Sequence, residues 1–136
     1  MNKIILVLCL QTALTCCCYA QSKTTQEYDS VLEQRAYIIV DQMPEFDNSE
    51  AKLMEFITTN FHYPEEQEDF QGSIWLEFIV DENGVVRNAK ISKKLQHQLT
   101  LVDKEGLRIL SIMPKWKPGS LNGKNVPVKM HLPIHF

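Results

Sequence analysis

From residue 125 to residue 136 every second side chain is apolar. Val126, Val128, Met130, Leu132, Ile134 and Phe136 alternate with Pro127, Lys129, His131, Pro133 and His135. Successive side chains of an extended chain point to opposite faces, so this run predicts one strand with one buried face. A second alternating run, residues 72–80, puts Ile74, Leu76, Phe78 and Val80 on one face and Trp75, Glu77 and Ile79 on the other. Asp81-Glu82-Asn83-Gly84 follows with an Asn-Gly hairpin signal. The return strand, about residues 85–92, buries Val86, Ala89 and Ile91. Their uneven spacing predicts a bulge near Arg87-Asn88.

Two segments carry a helical period instead. Leu53, Met54, Ile57 and Phe61 form the first, with Asp47 as N-cap, Glu50 three residues on, and Tyr63-Pro64 as the stop. Val102, Gly106, Ile109, Leu110 and Met113 form the second, behind a cap at Thr100 and Asp103. A mid-helix glycine costs about 1 kcal/mol relative to alanine, so Gly106 predicts close contact between helix and sheet. Trp116, set between Pro114 and Pro118, is expected to close the core at the helix exit. Residues 36–40 (Ala-Tyr-Ile-Ile-Val) make a short β-prone run ahead of Met43-Pro44. The order β, α, β, β, α, β gives an α+β two-layer sandwich. It has a small, mainly antiparallel three-stranded sheet, two helices on one face and a short N-terminal strand. The last strand is expected at the sheet's edge.

The chain of 136 residues divides into a leader at 1–20, a polar linker at 21–35 and one domain at 36–136. The leader has Lys3, the apolar run 4–10 and Cys18-Tyr19-Ala20 before Gln21, the plan of a cleaved signal peptide. A retained anchor and a lipoprotein leader, using Cys16, Cys17 or Cys18, are the alternatives. All four cysteines lie in the leader, so a domain beginning after it has no disulfide, thiolate nucleophile or cysteine metal site. Loss of the leader removes one cation, Lys3, and takes the net charge from −3 to −4. That acidity argues against nucleic acid or anionic lipid as partner.

Enzymatic chemistry finds no foothold. His131 and His135 share a strand face but stand about 13 Å apart at strand rise, too far to hold one metal ion. His62 sits at a helix end and His97 in a polar loop. No Gly-x-Ser-x-Gly elbow, His-Glu-x-x-His or phosphate-binding glycine loop occurs. Asn122-Gly123-Lys124 reads as a turn into the last strand. The run Glu65, Glu66, Glu68 and Asp69 reads as a solvated loop without the spacing of a calcium site. The expectation is no catalytic, cofactor-binding or metal-binding residue, and no cofactor.

Four groups of residues occur in the order of a known family. They are Met43-Pro44-Glu45-Phe46, then Asn60-Phe61-His62-Tyr63-Pro64, and then Gly72 with Leu76, Phe78, Val80-Asp81, Gly84 and Val86. The fourth is Met113-Pro114-x-Trp116-x-Pro118-Gly119 followed by Asn122-Gly123-Lys124. Together they resemble the C-terminal domain of the TonB family of energy transducers, in its Bacteroides-type form, over residues 43–136. The chain has Asp47-Asn48 where the family often has paired glycines, Gln67 for a usual alanine, and Val102-Asp103 for Leu-Asp.

The resemblance implies a periplasmic, non-enzymatic domain linked to TonB-dependent transport. Its partner would be the TonB-box-like segment of an outer-membrane receptor, added as a strand beside the last strand. The edge residues so implied are Val126, Val128, Lys129, Met130, His131 and Leu132, bracketed by Pro127 and Pro133, which lack N–H donors. Trp75 is either an interface anchor or packed beneath the N-terminal segment. The linker of 15 residues spans about 50 Å at most, so the expectation is a binding module, free or tethered through its leader, rather than a complete transducer. The alternative is a self-pairing structural module of the envelope, a homodimer through the same edge, with no transport role.

Overall fold

A strand with one apolar face needs a cover, and both alternating runs find the same one. The computed structural model describes residues 26–29, 34–66 and 71–136; the expected leader lies outside them. In chain order come β1 (Gln26–Asp29), β2 (Gln34–Tyr37), α1 (Glu50–Asn60), β3 (Ser73–Val80) and β4 (Val86–Ile91). A 3-10 turn at Gln96–Gln98 leads to α2 (Leu101–Ser111), a small hairpin of β5 (Ser120–Leu121) and β6 (Lys124–Asn125), and finally β7 (Val128–His135). β7, β3 and β4 form the antiparallel centre, with β3 in the middle. Ile74, Leu76, Phe78 and Val80 are buried there against Phe46, Leu53 and Ile57, and against Val102, Ile109 and Leu110 of α2.

Gly106 marks how closely α2 approaches the sheet. A Cβ at that position would lie 2.6 Å from Ile74 Cδ1 and 3.1 Å from Leu76 Cδ2. The α2 cap is the expected one. Thr100 N–H donates to Asp103 Oδ2 at 2.8 Å, and Asp103 N–H donates to Thr100 Oγ1 at 3.2 Å. Asp103 is wholly buried. Burial pushes its carboxyl pKa up, but Lys94 and the Thr100 donors outweigh that and hold it below the usual range.

The hairpin after β3 is fastened to the exit of α2. Gly84 has φ +79, and a Cβ there would lie 1.9 Å from the Trp116 carbonyl oxygen. Trp116 N–H in turn donates to the Gly84 carbonyl at 2.8 Å. Trp116 is buried, its ring set edge-on to Phe46 at 5.4 Å and tilted on Phe78 at 5.6 Å. The expected bulge is present: the pairing of β3 with β4 slips between Glu77 and Ile79, and Asn88 has φ 51. That slip turns Ala89, expected in the core, out to solvent.

Four other expectations are corrected. The α1 cap is Ser49, because Asp47 and Asn48 both take left-handed backbone (φ 44 and 58) in a turn closed by Ser49 N–H on the Phe46 carbonyl. Short Asp and Asn side chains tolerate that conformation better than most. Met54 faces solvent, while Leu53 and Ile57 enter the core.

The third and fourth corrections concern the N-terminal segment and the sheet edge. β1 and the first residues of β2 fall inside the stretch expected as linker and pair antiparallel from Gln26↔Tyr37 to Asp29↔Gln34. Backbone pairing asks for no apolar period, so their polar sequence gave no strand signal. Finally, β7 is not the outermost strand. The sheet runs β1-β2-β7-β3-β4, with β2 parallel to β7.

α1 is held to α2 by an ionic clamp. Arg108 donates to both oxygens of Glu105, at 2.8 and 2.7 Å, and to the Asn60 carbonyl at the end of α1. His62 N–H donates to Glu105 Oε1 at 2.8 Å. Arg108, with the His62 N–H, draws the Glu105 pKa down to about 2 against the opposing effect of burial.

Candidate functional site: a sheet edge and the groove beside it

β7 has two unlike flanks. Inward, it pairs with β3 without interruption from Val80↔Val128 to Ser73↔His135. Outward, β2 meets it at one register point, Tyr37↔Val128, with Tyr37 N–H donating to the Pro127 carbonyl at 2.9 Å. Past that point no strand lies beside β7 among the described residues.

Three observations fix which backbone groups face outward. Phe136 N–H donates to the Gly72 carbonyl at 2.9 Å, toward β3. Ser92 N–H donates to the Trp75 carbonyl at 2.8 Å, on the far side of β3 from β7. Pro133, opposite Trp75, has no N–H to give. Alternate pairs of an antiparallel ladder exchange both bonds. Val128, Met130, Leu132 and Ile134 therefore bond inward. The N–H and C=O of Lys129, of His131 and of His135, and the C=O of Pro133, point away from β3.

The sequence-predicted edge residues thus separate. Val126 lies before β7, and its N–H is used by the Gly119 carbonyl at 3.0 Å. Val128 sits opposite Tyr37. Lys129 directs its ammonium to Glu77 Oε1 at 2.9 Å. Met130 and Leu132 pack on the core with their side chains. Lys129 shares the outward phase but adjoins the point where β2 meets β7, so His131 is the residue of the predicted set that presents an outward donor and acceptor past that contact.

Along this open stretch runs a groove of about 410 Å³. Pro44, Phe46 and Leu53 line one side, Met130, Leu132 and Pro133 the other, with the buried rings of Phe78 and Trp116 at its base. The segment 42–46 is strapped in place by backbone bonds. Gln42 and Ser120 exchange N–H···O bonds at 3.1 and 2.9 Å, and Glu45 and Lys117 do so at 3.1 and 2.8 Å. Gly119 permits this approach, since a Cβ there would meet Val128 Cγ2 at 2.6 Å and the Gln42 carbonyl at 3.0 Å. Nothing local in the sequence of residues 43–46 marks this groove beyond Phe46, a large apolar residue placed just ahead of a helix, whose ring meets Phe56 at 5.3 Å.

The sheet face turned from the helices carries Trp75, half exposed at 51%, opposite Pro133. Beside it Glu77 is buried, with Lys90 and Lys129 at 2.9 Å and His131 Nε2 at 3.5 Å. Burial pushes the Glu77 pKa up, but the two lysines outweigh it and hold the carboxyl below its usual range. No three His, Cys, Asp or Glu side chains converge on a common point among the described residues.

A two-layer α+β domain with an open strand edge beside an apolar groove has the features by which interaction domains add a partner strand. The family model described as Gram-negative bacterial TonB protein C-terminal matches residues 59–136, more than half of the chain, and the chain belongs to that family. Curated proteins and solved structures give no significant match. The family comprises non-enzymatic protein-interaction domains of envelope energy-transducing proteins, whose partners include outer-membrane receptors. The match begins inside α1, yet Phe46, Leu53 and Ile57 belong to the same core, so the folded unit reaches back beyond it.

Proposed function

We propose that the outer flank of β7 from His131 to His135 receives an extended segment of another envelope protein, in the first instance the TonB-box-like segment of an outer-membrane receptor. The observation that carries this is the unequal pairing of β7, complete toward β3 and confined to Tyr37↔Val128 on the other side. An added strand satisfies the outward groups of His131, Pro133 and His135 without disturbing the inward ladder. Family membership supports the partner class. Trp75, on the open face beside Pro133, is proposed as an anchor for the part of the partner that passes across the sheet. The site works in the periplasm on this reading, delivered by residues 1–20 as signal peptide or lipid-bearing leader.

Titrating the protein with receptor TonB-box segments should shift the amide resonances of His131 and His135 saturably. His131→Pro deletes the outward donor and should weaken binding at least about tenfold, the loss of one well-placed bond and its register. Trp75→Ala should cost less, about threefold to tenfold. Unchanged affinity in His131→Pro would remove the edge from consideration. A concentration-dependent dimer that His131→Pro dissolves would instead assign the same edge to self-pairing between copies.

A further inference from the structure

The groove says which kind of segment the edge selects, an inference that rests on the strand-addition reading above. A strand laid along β7 sends alternate side chains to opposite faces. One set must enter the groove on the helix side, over Phe78 and Trp116 and between Leu53 and Leu132. That surface is apolar, and burying an aliphatic side chain there removes it from water.

The rim adds a sign. Among the described residues two carboxylates, Glu45 and Glu50, line the groove together with His131, and no Lys or Arg does. Glu45 is half exposed and 3.1 Å from Lys117, which lies outside the lining, and Glu50 stands exposed in the first turn of α1. A cleft with apolar walls concentrates the field of charges at its mouth. The next groove-facing side chains of a guest strand lie about 7 Å either side of its central one, within reach of that rim.

We infer that the groove selects an extended partner segment with a central aliphatic residue flanked, two positions away on the same face, by Lys or Arg. Aliphatic side chain and cation occupy one face of the guest. Its other face lies over the sheet side of His131 and Trp75 and contributes less to selection.

The test uses three threonine-based peptides, titrated into the purified full-length protein and followed by Trp fluorescence and NMR. The first carries Leu flanked at both second positions by Lys, the second Leu flanked by Glu, and the third Ser flanked by Lys. The Leu peptide with Lys should bind about tenfold tighter than the Ser peptide. It should bind about threefold tighter than the Glu-flanked peptide, with that margin shrinking as salt rises.

Ser49→Trp should fill the groove and abolish the preference for Leu; Ser49 makes no side-chain cap bond that this change would remove. Glu50→Lys, which leaves the groove's volume nearly unchanged and sets one cation against the remaining Glu45, should cancel the charge preference. Equal binding of Leu and Ser peptides overturns the inference, as does parity between Lys and Glu flanks, or no binding of any of the three at millimolar concentration. If the rankings fail while His131→Pro still weakens binding of the receptor segment, groove selection falls and the edge reading stands. If His131→Pro changes nothing for any peptide, the edge reading falls with it.

Discussion

β4 and β7 flank β3 on opposite sides, and each has an outer side that another strand could meet. The two are built differently. β4 pairs with β3 through a slip between Glu77 and Ile79, carries left-handed Asn88, and places Arg87 and Lys90 on ion pairs with Asp81 and Glu77. A bulge and charged side chains are the ordinary means by which a sheet protects an edge. β7 pairs with β3 over eight residues with no slip. Its prolines sit where they cost the inner ladder nothing, Pro127 before the strand and Pro133 with its missing donor on the outer side. The contrast teaches that one edge is protected while the other is kept straight, with its outward groups in register.

The strongest way to break that contrast is to move a proline by one residue. Leu132→Pro removes an inward donor from the β3 ladder and should cost about 3 kcal/mol or more. His131→Pro removes an outward donor and should cost under about 1 kcal/mol. Thermal or denaturant unfolding of the two variants gives the difference; equal losses would mean that the assigned phase of the ladder is wrong.

A smaller effect concerns Glu77, which ties the two flanks together through Lys90 of β4 and Lys129 of β7. Glu77→Gln should destabilise by about 1–2 kcal/mol, the usual cost of losing bonds to a charged group. The Arg87–Asp81 pair should persist in that variant. No change in the denaturation midpoint would show that the lysines do not draw on Glu77.

The smallest effect at neutral pH separates both edges from the helix clamp. The Glu105 pKa falls from 4.5 to about 2 on folding, because Arg108 and the His62 N–H favour the carboxylate. Its contribution is therefore complete above pH 4.5 and disappears as pH drops through about 2. Glu105→Gln should lose about 1 kcal/mol at pH 7 and flatten the acid limb of the stability curve, leaving peptide binding at β7 unaltered. An acid limb identical to wild type would contradict the clamp.

Much of this architecture is legible in the sequence where the determinant is local. The alternation of residues 72–80, the Asn-Gly turn, the three-then-two spacing ahead of the bulge and the Thr100–Asp103 cap each act over a few residues. Gly106 could be read because its cost as a helix residue demanded a compensating contact. What escaped depends on distant partners. β1 and β2 are strands because they pair with each other and with the start of β7, a register that their polar sequence does not encode. The open stretch of β7 was placed too early, at Val126, because the bonds from Tyr37 and to Gly119 join residues far apart in the chain. The groove was missed for the same reason, since its two sides come from segments some 85 residues apart.

The central claim, that His131 presents a backbone donor to whatever strand arrives, can be read from one amide. Hydrogen exchange followed by NMR should find His131 exchanging fast in the protein alone while its neighbour Leu132 is slow, and should find His131 protected once a receptor segment is bound. Strong protection of His131 in the unbound protein, or none gained at saturation, would contradict it.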